Sequence, residues 1–186
     1  MQFSIGDKVI HPKLGAGEIT GEEHRELVKG FGHYFVIKIL AAQGTAYVPV
    51  HKMIELGVRP VMSEAKLALV LDTLRSVPRW LSKDFKERQK LIQEMLATGY
   101  PILIAEAIRD LTCHGRSKRL TDKDQQLLKW GRGLLATEIA VVTNTQILDA
   151  EVAISAALKV AMASALDDFG RTRDPQSAER HIANPQ

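Results

Sequence analysis

The sequence predicts an α+β chain, with a small β-module over residues 1–60, about five helices over 61–169 and a flexible tail over 170–186. Three observations predict it. The first sixty residues alternate apolar and polar side chains between glycine-bearing turns. From Ser63 to Leu166 apolar residues recur at helical spacing, with capping residues at the helix starts. Beyond Gly170, "RTRDPQSAERHIANPQ" shows neither period.

The β-module opens with "FSIGDKVIHPKLGAGEITG", in which Gly15, Gly17 and Gly21 crowd together. A dinucleotide loop needs G-x-G-x-x-G at the opening of a helix, so that amides and helix dipole converge on a pyrophosphate. Here Thr20 stands where the third glycine belongs, no helical stripe follows, and no Gly-Lys-Ser/Thr closes a Walker loop. The stretch therefore reads as a tight reversal between "KVIHP" and "GEITG", bracketed by Pro12 and Gly15. "HYFVIKIL" then places Phe35, Ile37 and Ile39 on one side and Tyr34, Val36 and Lys38 on the other. "TAYVPV" places Ala46, Val48 and Val50 together, with "AAQG" as the hairpin turn between the two runs. Pro49 lacks an amide donor, which suits an edge strand. Four or five short strands in sixty residues match the size of an SH3-like or Tudor-like barrel, whose usual output is a binding surface.

The helices follow in order. Ser63 caps a helix to about Leu74 with the stripe Leu67, Val70, Leu71 and Leu74. A second helix starts near Ser82 and carries Phe85, Ile92, Met95 and Leu96. Pro101 opens a third, which buries Ile104, Ala105, Ile108 and Leu111 and ends before Gly115. Thr121 and Asp124 form a near capping box for a fourth helix to about Val142, with Leu127, Leu128, Leu134, Leu135 and Ile139 inward. Gly131 and Gly133 inside it each cost about 1 kcal/mol against alanine, which a closely packed neighbouring helix would offset. A fifth helix, about Thr145 to Leu166, shows Ile147, Ile154, Leu158 and Ala165 at helical spacing.

Composition narrows the function classes. Apolar residues make up 45% of the 186, enough for a core and too many for a disordered chain. Apolar runs are too short for a membrane span, and Asp7 and Lys8 interrupt any signal-peptide pattern. Cys113 is the single cysteine, which fits a reducing cytoplasm. Net charge is only +3, but Arg75 to Arg132 hold thirteen Lys/Arg against seven Asp/Glu, whereas Leu134 to Asp168 hold one lysine against five acids. A basic middle before an acidic end suggests one face suited to a polyanion.

Taken together, "FSIGDKVIHPKLGAGEI", "AYVPV" with "LGVRPVMS", "LATGYPILIAEAIRDL" and "LTDKDQQLLKWGRGLLATEIA" resemble the CarD/CdnL family of bacterial transcription regulators over about residues 3–160. The first module of that family is shared with the transcription-repair coupling factor. The resemblance implies a non-enzymatic, cytoplasmic regulator that reaches the nucleoid through RNA polymerase. Its β-module binds the polymerase β subunit, and its helical module stabilises the open complex at the upstream edge of the bubble. It implies a polymerase contact at Tyr47, with neighbouring Pro49, and at a position that is Arg25 or Glu26 here. It implies no cofactor, metal, membrane or small-molecule substrate. In many members a tryptophan wedges into the minor groove, without sequence specificity, and basic residues after it grip phosphate. Counting back from "MLATG", that position is Phe85, with Lys86, Arg88 and Lys90 following and Glu87 opposing them. Trp80, in "VPRWLS", is the alternative wedge.

Without the resemblance, the residues leave a DNA face and an ordinary solvated surface both open. Lys83, Lys86 and Lys90 at i, i+3 and i+7, with Arg79 before them, would line one helix face and neutralise phosphates, or form an ordinary solvated face. Phe85 reads either as a wedge or as core, because Ile92 and Met95 continue its stripe. "GRSKRL" reads either as a phosphate contact or as a helix-end charge cluster. If the DNA contacts are weak, a polymerase-docking adaptor remains. His11, His24, His33 and His51 lack metal-ligand spacing, and Cys113-His114 lacks an oxyanion loop.

Overall fold

The computed structural model describes residues 3–28, 30–40 and 44–171. It has the expected α+β fold, a Tudor-like first module followed by helices. The strands are β1 (Lys8–His11), β2 (Gly15–Val28), β3 (Phe31–Ile39), β4 (Thr45–Pro49) and β5 (Arg59–Pro60). They form one antiparallel sheet in the order β4-β3-β2-β1-β5. The glycine-rich stretch lies in β2 and its entry turn, and no helix follows it. Gly15 takes a positive φ of 83°, and a side chain at Gly17 would run into Ile37 and the Lys38 carbonyl. Both glycines thus serve the sheet. Phe35, Ile37, Ile39 and Val48 join Val9, Ile19, Met53 and Val58 in the sheet's core, with Ala46 and Val50 packed on it. β4 is an edge strand, as Pro49 requires.

Five helices complete the fold: α1 (Glu64–Arg75), α2 (Phe85–Ala97), α3 (Pro101–Ser117), α4 (Asp122–Thr143) and α5 (Ile147–Arg171). Their apolar stripes build a second core, centred on Val70, Leu74, Ile92, Leu96, Ile108, Leu111, Leu135, Ile154 and Leu158. Ser63 caps α1, Pro101 opens α3, and Thr121 with Asp124 forms a full capping box on α4. Gly131 has the expected close neighbour, since a side chain there would strike Leu96.

Four local expectations need correcting. Gly115 lies inside α3 with Leu120 packed against it, so the helix runs on to Ser117. Gly133 faces open space, so packing does not offset its cost. Ile147 is exposed at the start of α5. Helix α2 begins at Phe85, because Asp84 takes the cap and accepts from the amides of Lys86 and Glu87. The "AAQG" turn, the segment after Arg171 and the Ala165 side chain lie outside the described residues.

The two modules share a seam. Arg59, on β5, donates to both carboxylate oxygens of Glu138 on α4, at 2.7 and 2.8 Å. The same guanidinium donates to the Gly99 carbonyl at the α2–α3 corner, and Glu138 also accepts from the Met62 amide at 2.9 Å. Glu138 is only 1% exposed. Pro12 closes against Gly57 and Gly99, and Gly15 lies against Thr137 and Leu134. A buried carboxylate is tolerated when its charge and lone pairs are met, as they are here.

Candidate functional site

Two surfaces emerge. The first is a face of the sheet. Strand neighbours alternate between faces and paired residues share one. The pairs Glu23–Tyr34, Tyr34–Pro49 and Val36–Tyr47 therefore put these side chains opposite the Phe35 core. On this face the Arg25 guanidinium carbon sits 5.2 Å from the Tyr47 ring centroid, within cation–π range. Glu23 forms an ion pair with the Arg25 Nε. Arg25 and Tyr47 are thus brought together and left exposed, with Pro49 half-buried on the same strand. The Glu26 side chain lies outside the described residues. Tyr34 is buried on this face, and its hydroxyl has no hydrogen-bond partner.

The second surface is the loop from Ser76 to Asp84 with the start of α2. Buried charges pin this loop on both sides of Trp80. On α3, Arg109 donates to the Thr73 carbonyl and to Ser76 Oγ at 3.1 and 2.6 Å, ending α1. Its neighbour Asp110 accepts from the Arg79 amide at 3.0 Å and from Arg109 Nε at 2.8 Å. Burial holds the Asp110 carboxyl above its ordinary pKa, against the opposing pull of Arg79 and Arg109. Leu81 is then buried. Past it, Arg88 donates to the Ser82 carbonyl at 3.0 Å. Between these anchors Trp80 is 77% exposed, and Phe85, at the first position of α2, is 51% exposed.

The cations around them divide sharply. Arg88 does not belong to the surface. It is 4% exposed and forms a bidentate pair with Asp124, at 2.7 and 3.2 Å. The expectation that it grips phosphate is corrected: it occupies the inward stripe with Ile92 and Leu96 and fastens α2 to the start of α4. Burial alone would raise the Asp124 pKa, but hydrogen bonds from Arg88 and Thr121 outweigh it and hold the carboxyl below its usual value. Lys83 precedes the Asp84 cap, so Lys83, Lys86 and Lys90 do not form one helical stripe, although all three are exposed. Arg79 reaches Glu106 at 3.3 Å, and Lys90 lies 4.0 Å from Glu94. Lys83 and Lys86 have no ion-pair partner among the described residues. Glu87 is held by the Ser82 hydroxyl at 2.8 Å.

Burial pushes the Cys113 thiol up, away from its reactive thiolate form. Among the described residues, no group of three His, Cys, Asp or Glu side chains is placed to hold a metal ion, and no helix is long and apolar enough to cross a membrane.

Comparison with known proteins agrees with these two modules. The CarD-like/TRCF RID domain profile matches residues 3–62, and the profile of the CarD C-terminal domain matches residues 69–155. The chain belongs to the CarD family. A relative, "Putative transcription factor YdeB" from Bacillus subtilis (strain 168), is 26% identical over 140 residues, covering 75% of this chain and 92% of its own. CarD proteins form a family of transcription factors, and the seam joins the end of the first matched domain, at Arg59 and Met62, to Glu138 in the second.

Sequence reasoning missed the residues that build this site from within: Arg59, Glu138, Arg109 and Asp110, and the internal role of Arg88. The available signal was a charge at a position the apolar stripe reserves for the core. Glu138 precedes Ile139, and Arg109 and Asp110 stand between Ile108 and Leu111.

Proposed function

We propose that this CarD-family protein docks on the β subunit of RNA polymerase through the Arg25–Tyr47–Pro49 face and stabilises the open promoter complex with the tip around Trp80 and Phe85. The observation that carries the reading is the exposure of both aromatics on a segment whose backbone is held at Arg79 and Ser82. Apolar side chains presented in this way insert between base steps where a duplex is already distorted. Lys83 and Lys86 beside them, with Arg79 and Lys90 more loosely engaged, supply attraction to phosphate that is independent of sequence. The mechanism is selective binding: contacts available only on opened DNA shift the closed–open equilibrium by their differential free energy. About 1–3 kcal/mol corresponds to a 5- to 150-fold shift.

Open-complex lifetime on a linear promoter tests the reading. Phe85→Ala and Trp80→Ala should each shorten the lifetime several-fold while co-purification with core polymerase persists. Tyr47→Ala should abolish co-purification. Lifetimes unchanged in both aromatic variants would leave a polymerase-docking adaptor instead.

A further inference from the structure

Helix α5 carries apolar side chains on two opposite faces, and the fold covers only one of them. Ala150, Ile154, Ala157 and Leu158 point into the helical core, where α5 packs on α1, α3 and α4. On the other side Leu148, Val152, Ala156 and Val160 form an exposed row at four-residue steps. Leu148 is 74% exposed and Val152 63%, both more than Phe85. A lone exposed leucine is ordinary. A contiguous apolar row over about three helical turns marks an interaction surface.

The charges on this face are few and placed with a pattern. Between Ile147 and Ser164 the exposed charged side chains are Asp149 and Lys159, one towards each end of the row. Neither has an ion-pair partner among the described residues. Asp149 accepts from the Gln146 amide at 3.3 Å, which leaves its charge unmatched. Glu151, at the rim, is different: Arg132 on α4 already holds it at 2.6 Å. Asp149 and Lys159 stand equally far before and after Ile154, and so do Val152 and Ala156, and Leu148 and Val160. The face is therefore its own complement when it is turned end for end.

We infer that the outer face of α5 is an interface between two copies of this chain, packed antiparallel about a two-fold axis level with Ile154. Such an axis exchanges residues equidistant from that level, so every contact occurs twice. Asp149 meets the second copy's Lys159, and Val152 meets its Ala156. These four positions follow the 3-4-3 spacing of a helix seam that crosses at about 20°. Leu148 of one copy and Val160 of the other close over each ion pair, and Ala156 has no bulk to hold the axes apart. The parallel alternative sets Asp149 on Asp149 and Lys159 on Lys159, which like-charge repulsion opposes. A single helix pair buries a small area, so association belongs in the micromolar range of transient contacts.

Sedimentation velocity on the full-length chain, from low to high micromolar concentration, tests the pairing. The weight-average mass of the wild type should rise from one chain toward two. Val152→Lys places a cation at the centre of the seam and should hold the protein at one chain, with an unchanged Tm because the side chain it replaces is exposed. Asp149→Lys and Lys159→Asp should each weaken association several-fold. The double swap Asp149→Lys/Lys159→Asp should restore it, although the bond to the Gln146 amide is lost there as in the single variant. A wild type that stays a single chain throughout overturns the inference. So does a Val152→Lys variant that associates as strongly as the wild type, and a double swap no better than its singles overturns the antiparallel register. A single-chain wild type whose Val152→Lys variant no longer co-purifies with core polymerase would give the face to polymerase and overturn the second copy as its occupant.

Discussion

The seam between the modules and the tip of the helical module use the same side chains in opposite ways. At the seam and beneath the tip, Arg59, Arg88 and Arg109 each donate to a carboxylate and to at least one backbone carbonyl of the fold. At the tip and the neighbouring turn, Lys83, Lys86, Arg116, Lys118, Arg119 and Lys123 form no ion pair among the described residues. Arginine does the internal work because its planar fork satisfies a carboxylate bidentately, whereas lysine supplies point charge to solvent. The difference teaches that charge count along a chain says little about which cations are available. Near α2, Arg88 is withdrawn from the apparent basic surface by the Asp124 beneath it.

The contrast can be broken at its buried end first. Arg88→Ala would leave Asp124 charged and unpaired in the interior and should lower stability by about 3–5 kcal/mol, read by denaturant titration. Its partner adds a pH signature. The Asp124 carboxyl is held below its ordinary value of 3.8, so its stabilisation is complete above that value and is lost as pH falls through the depressed one. Asp124→Asn should flatten that acid limb while lowering stability at neutral pH. A smaller loss, about 1.5–3 kcal/mol, is expected for Glu138→Gln, which weakens charge-assisted bonds to a partly solvated Arg59. Domain-selective hydrogen exchange at the Met62 amide should register it.

Two helix glycines sharpen the comparison with packing in place of charge. Gly131→Ala would press on Leu96 and should destabilise by about 1–3 kcal/mol. Gly133→Ala meets open space and should stabilise by about 0.5–1 kcal/mol, visible as a raised Tm. The smallest effect on stability belongs to Lys86→Ala: the Tm should not move, while the salt slope for DNA should fall by about 1.

What the sequence made legible follows from range. The stripes Leu67–Val70–Leu74 and Ile104–Ile108–Leu111, the Ser63 cap and the Thr121–Asp124 box are set by neighbours within four residues, and each reads directly. Arg25 and Tyr47 were named by family resemblance, and the strand register that unites them runs through β3, which no local pattern specifies. Arg88 looked like a surface cation because its partner lies 36 residues away, and Arg59 and Glu138 are 79 apart. The supposed lysine stripe failed for a local reason instead. Asp84 is the better cap, and it starts the helix after Lys83.

Asp110 and Arg88 clasp the chain on either flank of Trp80, so the indole is displayed by a backbone that is already still. A free loop would surrender its disorder at the moment of docking, at roughly 0.5–1.5 kcal/mol for each side chain brought to rest. On the wedge role proposed for Trp80, the backbone share of that ordering is completed when the chain folds, before any encounter with DNA.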